Sequence, residues 1–353
     1  MSAQQHDDRQ QDAGDGGTAT VAAIDCGTNS IRLLVAGVVG VADDEVRLVD
    51  IDRRMEVVRL GQGVDRTGEF APEALERTFA ALREYAKLMR DSGVEPGPES
   101  VRMVATSATR DAANRAEFVA GVREIIGVEP EVITGEEEAE LSFIGATAEL
   151  EAGGDAEDEA AFTPPFLVVD IGGGSTEFVL GWADPENAPQ DAGAVRASRS
   201  VDIGCVRLTE RHLTDDPPTA EQIAAAVADI DAALDAAAEA VPLTEAATVV
   251  CVAGTATTVA GIALDLPEYD PERIHRAWVP AEDAHRIARE LLAAPHARRA
   301  EIGVMHPGRV DVIGAGALIL SRVVERTGAA GFVASEQDIL DGIAWGLSLG
   351  GEE

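Results

Sequence analysis

A chain of 353 residues has room for two α/β domains, and a formal net charge of −36 argues against non-specific binding of nucleic acid or docking on anionic membranes. No apolar run is long enough to cross a bilayer as a helix. Lys87 is the one lysine and no Gly-Lys-Ser/Thr triplet occurs, so any bound phosphate must be met by arginine, backbone N–H groups, hydroxyls or a divalent cation.

Residues 1–18 are polar and rich in Gly, Asp and Gln; a disordered tail is expected there, without the basic-then-apolar order of a signal peptide. Ordered structure is expected from Ala19. Residues 20–24 form a short apolar strand ending at Asp25, 26–30 a turn, and 31–39 and 46–58 two further strands of a meander. Residues 72–89 read as a helix, with Leu75, Phe79, Leu82, Ala86 and Met89 on one face and Pro72 in the first turn. A strand at 101–105, a helix at 114–126, a strand at 131–134 and a helix at 136–150 follow. The acidic stretch 151–164 reads as a solvated loop.

The pattern then restarts. Strands are expected at 166–170, 177–181 and 195–202, with a loop at 185–193, then a helix at 219–240 capped by Thr219 and a strand at 248–252. Helices at 255–264, 281–293 and 309–326, a strand at 332–334 and a helix at 337–347 complete the chain. Cys26, Cys205 and Cys251 lack metal-ligand spacing, which suits reduced thiols in the cytoplasm.

Within this order, Phe-Leu-Val-Val-Asp-Ile-Gly-Gly-Gly-Ser-Thr-Glu at 166–177 couples an apolar strand to an aspartate, a glycine turn, two hydroxyls and a carboxylate. Such a turn is either a plain hairpin or one whose N–H groups also face an anion. Asp-Cys-Gly-Thr-Asn-Ser at 25–30 is the same device in the first half. Paired loops opening two α/β units are far more specific than either loop alone.

This doubled pattern resembles the actin-like ATPase superfamily, the ASKHA group of ribonuclease H-like folds. Within it, five collinear segments resemble the Ppx/GppA family of exopolyphosphatases and guanosine pentaphosphate phosphohydrolases, nearest to its short actinobacterial members. They are Ala-Ile-Asp-Cys-Gly-Thr-Asn-Ser at 23–30, Ala-Thr-Ser-Ala-Thr-Arg-Asp-Ala-Ala-Asn at 105–114, Ile-Thr-Gly-Glu-Glu-Glu-Ala-Glu-Leu at 133–141, Val-Asp-Ile-Gly-Gly-Gly-Ser-Thr-Glu at 169–177 and Ala-Gly-Thr-Ala-Thr-Thr at 253–258. The resemblance implies two actin-like α/β domains flanking a central cleft: 19–136 with 335–353, and 137–334. Longer relatives add a helical HD-type domain, which is not expected here. Cys26 departs from the pattern, standing where an apolar residue is common.

The resemblance also implies hydrolysis of a terminal phosphoanhydride with Mg²⁺, or Mn²⁺ as the alternative ion. It makes Glu138 the catalytic base, with Glu137 as the register alternative, and places Asp25, Asp170 and Glu177 at the metal. Phosphate would be held by Gly27, Thr28, Asn29 and Ser30, by Arg110, by Gly172, Gly173, Gly174, Ser175 and Thr176, and by Gly254 and Thr255. Read without the resemblance, Glu136, Glu137 and Glu138 could simply favour a helix N-terminus, and Arg110 could pair at the surface with Asp111 or Glu117. Gly254 and Thr255 could merely cap a helix, Asn114 reads as an N-cap, His306 as structural, and Arg207 has no derivable role.

The expected substrate is the end of inorganic polyphosphate, with short chains preferred because cations are scarce. The alternative is the 5′-phosphate of guanosine pentaphosphate. A kinase or filament protein of the same superfamily is the remote reading; the first would need a non-water acceptor and the second would sediment with nucleotide. Neither nucleic acid nor membrane is an expected partner, and a homodimer is compatible with the sequence.

Overall fold

The computed structural model describes residues 19–40, 46–148, 150, 162–183 and 194–348. The 1–18 tail, the 185–193 loop and most of the 151–164 loop lie outside these residues. The first sheet contains β1 (Ala19–Cys26), β2 (Ser30–Gly40), β3 (Val46–Val57), β4 (Val101–Ala105) and β5 (Glu131–Val132), in the order β3-β2-β1-β4-β5. Its helices are α1 (Val64–Thr67), α2 (Pro72–Asp91), α3 (Ser107–Asp111) and α4 (Arg115–Ile126), followed by α5 (Gly135–Thr147).

The second sheet contains β6 (Phe166–Ile171), β7 (Thr176–Gly181), β8 (Val195–Val201), β9 (Thr248–Val252), β10 (Trp278–Pro280) and β11 (Gly331–Ala334), in the order β10-β11-β9-β6-β7-β8. With it come α6 (Cys205–Arg211), α7 (Ala220–Ala238), α8 (Ala253–Ala263), α9 (Pro271–Ile274), α10 (Ala281–Ala293), α11 (His296–Arg299), α12 (Ile313–Thr327) and α13 (Ile339–Ser348).

Both sheets are mixed and repeat one plan. An antiparallel hairpin, β1–β2 or β6–β7, is flanked by a parallel strand, β4 or β9. All six residues of β6 are buried, as a strand covered on both faces requires. The two aspartates stand one residue before the end of the first strand of each hairpin, and the register sets Asp25 opposite Arg32 and Asp170 opposite Glu177.

Leu75, Leu82, Phe118 and Val122 of α2 and α4 cover one face of the first sheet, while Ile339, Leu340 and Ile343 of α13 cover the other. Phe143 of α5 packs on Val168, Val179 and Val250 of the second sheet. Helices α5 and α13 thus lie together between the sheets, and glycines allow the close approach. A Cβ on Gly145 would fall 1.8 Å from the Asp338 carbonyl oxygen, and one on Gly342 2.1 Å from that of Leu141. Backbone cannot yield as a flexible side chain can, so Gly145→Ala is expected to cost about 1–3 kcal/mol despite alanine's helix propensity. Thermal denaturation should show a clear fall in Tm for Gly145→Ala and none for Gly97→Ala, where a Cβ meets nothing.

The structure departs from expectation where short elements meet. The strand expected at 131–134 stops at Val132 because Thr134 caps α5. The helix expected from 309 begins at Ile313, after a separate 3-10 turn at Pro307–Arg309. Asn114 stands at the start of α4 without capping it: its side chain accepts from the Phe70 N–H (2.8 Å) and donates to the Phe70 carbonyl (3.1 Å), tying down a loop instead.

Candidate active site

The two glycine loops have the same internal bond: Gly27 N–H donates to Ser30 O (3.0 Å), and Gly172 N–H to Ser175 O (3.1 Å). Their carbonyls are held from behind. Gly61 and Arg59 donate to Thr28 O and Asn29 O, both at 2.8 Å, and Cys205 and Val206 at the start of α6 donate to Gly172 O (3.0 Å) and Gly173 O (2.9 Å). In a trans peptide the C=O and the following N–H point in opposite directions. Pinning the carbonyls therefore turns the N–H groups of Asn29, Gly173 and Gly174 the other way. No described residue accepts from these N–H groups.

The loops also touch. Thr28 Oγ1 lies 2.9 Å from Ser107 Oγ, and a Cβ on Gly174 would come within 2.7 Å of both hydroxyls. Only glycine fits there. The cavity they frame is lined by Gly27, Thr28, Asn29 and Ser30 from one side and by Gly172, Gly173 and Ser175 from the other. Asp25, Asp170 and Glu138 line it too, and Gly254 and Thr255 open on it from the N-terminus of α8.

Glu138 owes its place to the cap of α5. Thr134 and Glu137 form a reciprocal capping box: Glu137 Oε2 accepts from Thr134 N–H (2.7 Å), and Glu137 N–H donates to Thr134 Oγ1 (3.1 Å). Glu137 is thereby occupied and exposed, while the next residue turns inward, where Glu138 is 8% exposed. Arg110 donates to Glu138 Oε2 at 2.8 Å and to Ile133 O at 3.0 Å. Burial pushes the Glu138 carboxyl up to about 7; Arg110 pulls the other way, and the charges of Asp170 and Asp25 add to the rise.

Four of the expected site residues lie elsewhere. Arg110 does not line the cavity; its guanidinium is paired with Glu138. Gly174 lies behind the loop wall, and Thr176 is buried with its hydroxyl donated to Ile203 O (2.7 Å). Glu177 is 1% exposed and also off the cavity wall: its Oε1 accepts from Ser200 Oγ (2.7 Å), Ser175 beside it also favours the ionised carboxylate, and its Oε2 is buried with no clear hydrogen bond among the described residues. Burial, with Glu138 and Asp170 close by, holds its carboxyl well above the usual range.

The centre of the site is a residue that strand periodicity conceals. Arg32 on β2 donates through Nε (3.0 Å) and Nη2 (2.7 Å) to Asp25 Oδ2, and through Nη1 to Asp338 Oδ2. A lone arginine at the start of an apolar run, across a tight turn from an aspartate, is the signal that could have found it. Asp338, Thr106, Ser107 and Arg309 complete the surroundings; all but Asp338 line the cavity. Arg32, Gly254 and Arg309 also border an adjoining cavity of about 330 Å³, with Arg53, Arg54, His306 and Tyr269.

Among the described residues, no group of three or more His, Cys, Asp or Glu side chains could hold a metal by itself. Mg²⁺ at phosphates needs less, often one or two carboxylates with water and phosphate oxygens completing its shell. Asp25 Oδ1 is buried with no hydrogen-bond partner among the described residues. Asp170 lines the cavity with only its Oδ2 committed, to Ser142 Oγ at 2.7 Å. These two fit a hydrated cation; Glu177 stands off the cavity wall, one strand further away.

The model of the Ppx/GppA phosphatase family matches residues 38–336. Exopolyphosphatase 2 of Mycobacterium tuberculosis is 47% identical over 341 residues, covering 94% of this chain and 98% of that one. A solved exopolyphosphatase-like protein is 44% identical with a TM-score of 0.82, covering 94% of this chain and 99% of its own. The Aquifex aeolicus family member is 28% identical with a TM-score of 0.70, covering 95% and 99%. With two actin-like α/β units meeting at paired glycine loops, the chain belongs to the Ppx/GppA phosphatase family.

Proposed function

We propose that this protein is an exopolyphosphatase, a phosphoanhydride hydrolase that releases orthophosphate from the end of short polyphosphate chains. One observation carries this reading: a buried glutamate, its carboxyl raised to about 7, stands on the wall of a cavity also lined by the two glycine loops, among them the Asn29 and Gly173 N–H groups that no described residue accepts from. The name of the Mycobacterium tuberculosis relative agrees with it.

In this reading the terminal phosphoryl group rests against the N–H groups of Asn29 and Gly173, with Arg32 and the N-terminus of α8 supplying positive potential. Glu138 in its carboxylate form accepts a proton from water. The water oxygen bonds to the terminal phosphorus as the bridging P–O bond breaks, and the shortened chain leaves with the electron pair. Arg110 holds the Glu138 carboxylate in place for that transfer.

Mg²⁺ held by Asp25 and Asp170 would neutralise phosphate charge, which a site rich in carboxylates requires. Chelation with EDTA is expected to reduce phosphate release to background, with Mg²⁺ or Mn²⁺ restoring it. The remaining chain would pass into the adjoining cavity, where Arg53, Arg54 and Arg309 stand beside Glu336 and Asp338, with Arg53 paired to Asp341 and Arg54 to Asp52.

That cavity also supports the second reading. Tyr269, Val304 and Met305 give it an apolar wall suited to a base, as in guanosine pentaphosphate. A phosphate-release assay comparing short polyphosphate, long polyphosphate, guanosine pentaphosphate and ATP separates the two. The first reading predicts the highest kcat/KM for short polyphosphate; faster turnover of long chains overturns the short-chain preference, and faster turnover of the nucleotide selects the second reading. We place the enzyme in the cytoplasm: Cys26, Cys205 and Cys251 are free and buried, and no described helix is long and apolar enough to cross a membrane.

A further inference from the structure

Arg207 lies in the first turn of α6, behind the second glycine loop. Its Nε donates to Gly174 O, its Nη1 to Asp65 Oδ1 and its Nη2 to Asp111 Oδ2, each at 2.6 Å. The side chain is 10% exposed. One planar fork therefore joins three partners: a loop carbonyl of the second unit, α1 of the first unit and the end of α3 of the first unit.

The loop carbonyl matters most. Backbone N–H groups of α6 hold Gly172 O and Gly173 O, but Gly174 O is held by the Arg207 side chain. Peptide geometry then points the Ser175 N–H away from α6, and Ser175 lines the cavity. No described residue accepts from that N–H.

The second link is α3. Its five residues include Ser107, which touches Thr28 of the first loop, Arg110, which holds Glu138, and Asp111, which binds Arg207. Arg207 is thus connected at once to the second phosphate loop and to the helix that holds the base.

We propose that Arg207 is a positioning residue. It fixes the Gly174–Ser175 peptide so that its N–H faces the transferring phosphoryl group, and it ties that orientation, through Asp65 and Asp111, to the two units being together. This role rests on the phosphoryl-transfer reading above. Neighbouring bonds allow it to be tested without separating the units. Arg211 bonds Asp65 through Nε (2.7 Å) and Nη2 (2.8 Å), and Glu210 accepts from Gly63 N–H (3.1 Å). These bonds remain when Arg207 is changed.

Arg207→Gln is expected to lower kcat about 10- to 100-fold, below the ~10²–10³ typical of deleting a transition-state donor outright, because the N–H is misaimed and not lost. KM should rise by up to about threefold, as the misaimed N–H also meets the bound phosphate less well, and Tm should stay within a few degrees. Arg207→Lys keeps the charge but not the fork, and is expected to recover only part of kcat. Asp111→Asn, which leaves the Gly174 bond in place, should cost less than Arg207→Gln. A Gln variant that folds and turns over like wild type overturns the role, as does a loss confined to Tm or full rescue by lysine. Orthophosphate affinity, measured by calorimetry on the same proteins, reads the loop without turnover: weaker binding by Arg207→Gln is expected and unchanged binding overturns the role. Wild type releasing no phosphate from any substrate would instead count against the hydrolase reading.

Discussion

Glu138→Gln is expected to lower phosphate release by about 10²–10⁴-fold, the usual worth of a general base, whereas Glu137→Gln should stay within a few fold of wild type. The two side chains are neighbours in sequence with opposite fates. Glu137 serves the cap of α5, a task glutamine also performs, and it faces solvent. Glu138 is buried beside Arg110 on the cavity wall. Loss of activity in the Glu137 variant with retention in the Glu138 variant would reverse the assignment.

The pH profile gives an independent reading. The proposed base must be ionised to accept a proton, and burial raises the Glu138 carboxyl from 4.5 to about 7. Wild-type kcat/KM should therefore fall as pH drops below about 7, and the residual activity of Glu138→Gln should lack that limb. Stability carries the opposite sign. A carboxyl whose pKa is raised by folding favours the folded state while protonated, and that contribution is lost as pH rises through about 7. Thermal denaturation at pH 8 should accordingly give Glu138→Gln a Tm equal to or above that of wild type.

The hairpins were legible because their information is local. An apolar strand, an aspartate and a glycine turn fit within a dozen residues, and the repeat at Asp25 and Asp170 showed that two such hairpins face one site. What escaped was set by contacts distant in sequence or by elements too short to show a period. Asp338 meets Arg32 across 306 positions, and α3 and α6 run for only five and seven residues. Glu177 failed as a cavity residue for a different reason: register puts it opposite Asp170, one strand further from the cavity, where Ser200 takes one of its oxygens. Arg110, expected on phosphate, pairs in this structure with the proposed base, because the cap of α5 delivers Glu138 to it.

Arg32→Met is expected to be the most damaging single change for stability, because it strands buried charge. Asp25 is 5% and Asp338 3% exposed, and both rely on this guanidinium; Asp170 feels its charge without touching it. Removing one partner of a buried ion pair typically costs about 3–5 kcal/mol. The loss should depend on pH in a defined direction. Burial already raises the carboxyls of Asp25 and Asp170, the latter to about 6, with Arg32 opposing the rise in both. Without Arg32 they rise further, so at pH 8 the variant must ionise them unaided, whereas at pH 5 protons replace the missing cation. Urea denaturation should thus show a larger deficit at pH 8 than at pH 5. Adding Asp338→Asn to Arg32→Met should recover part of the deficit at pH 8 by removing one stranded charge, a coupling that a double-mutant cycle measures. Equal deficits at both pH values, or no recovery in the double variant, would mean that methionine fails through packing, and that Arg32 is not what allows this group of carboxylates to surround a phosphate site.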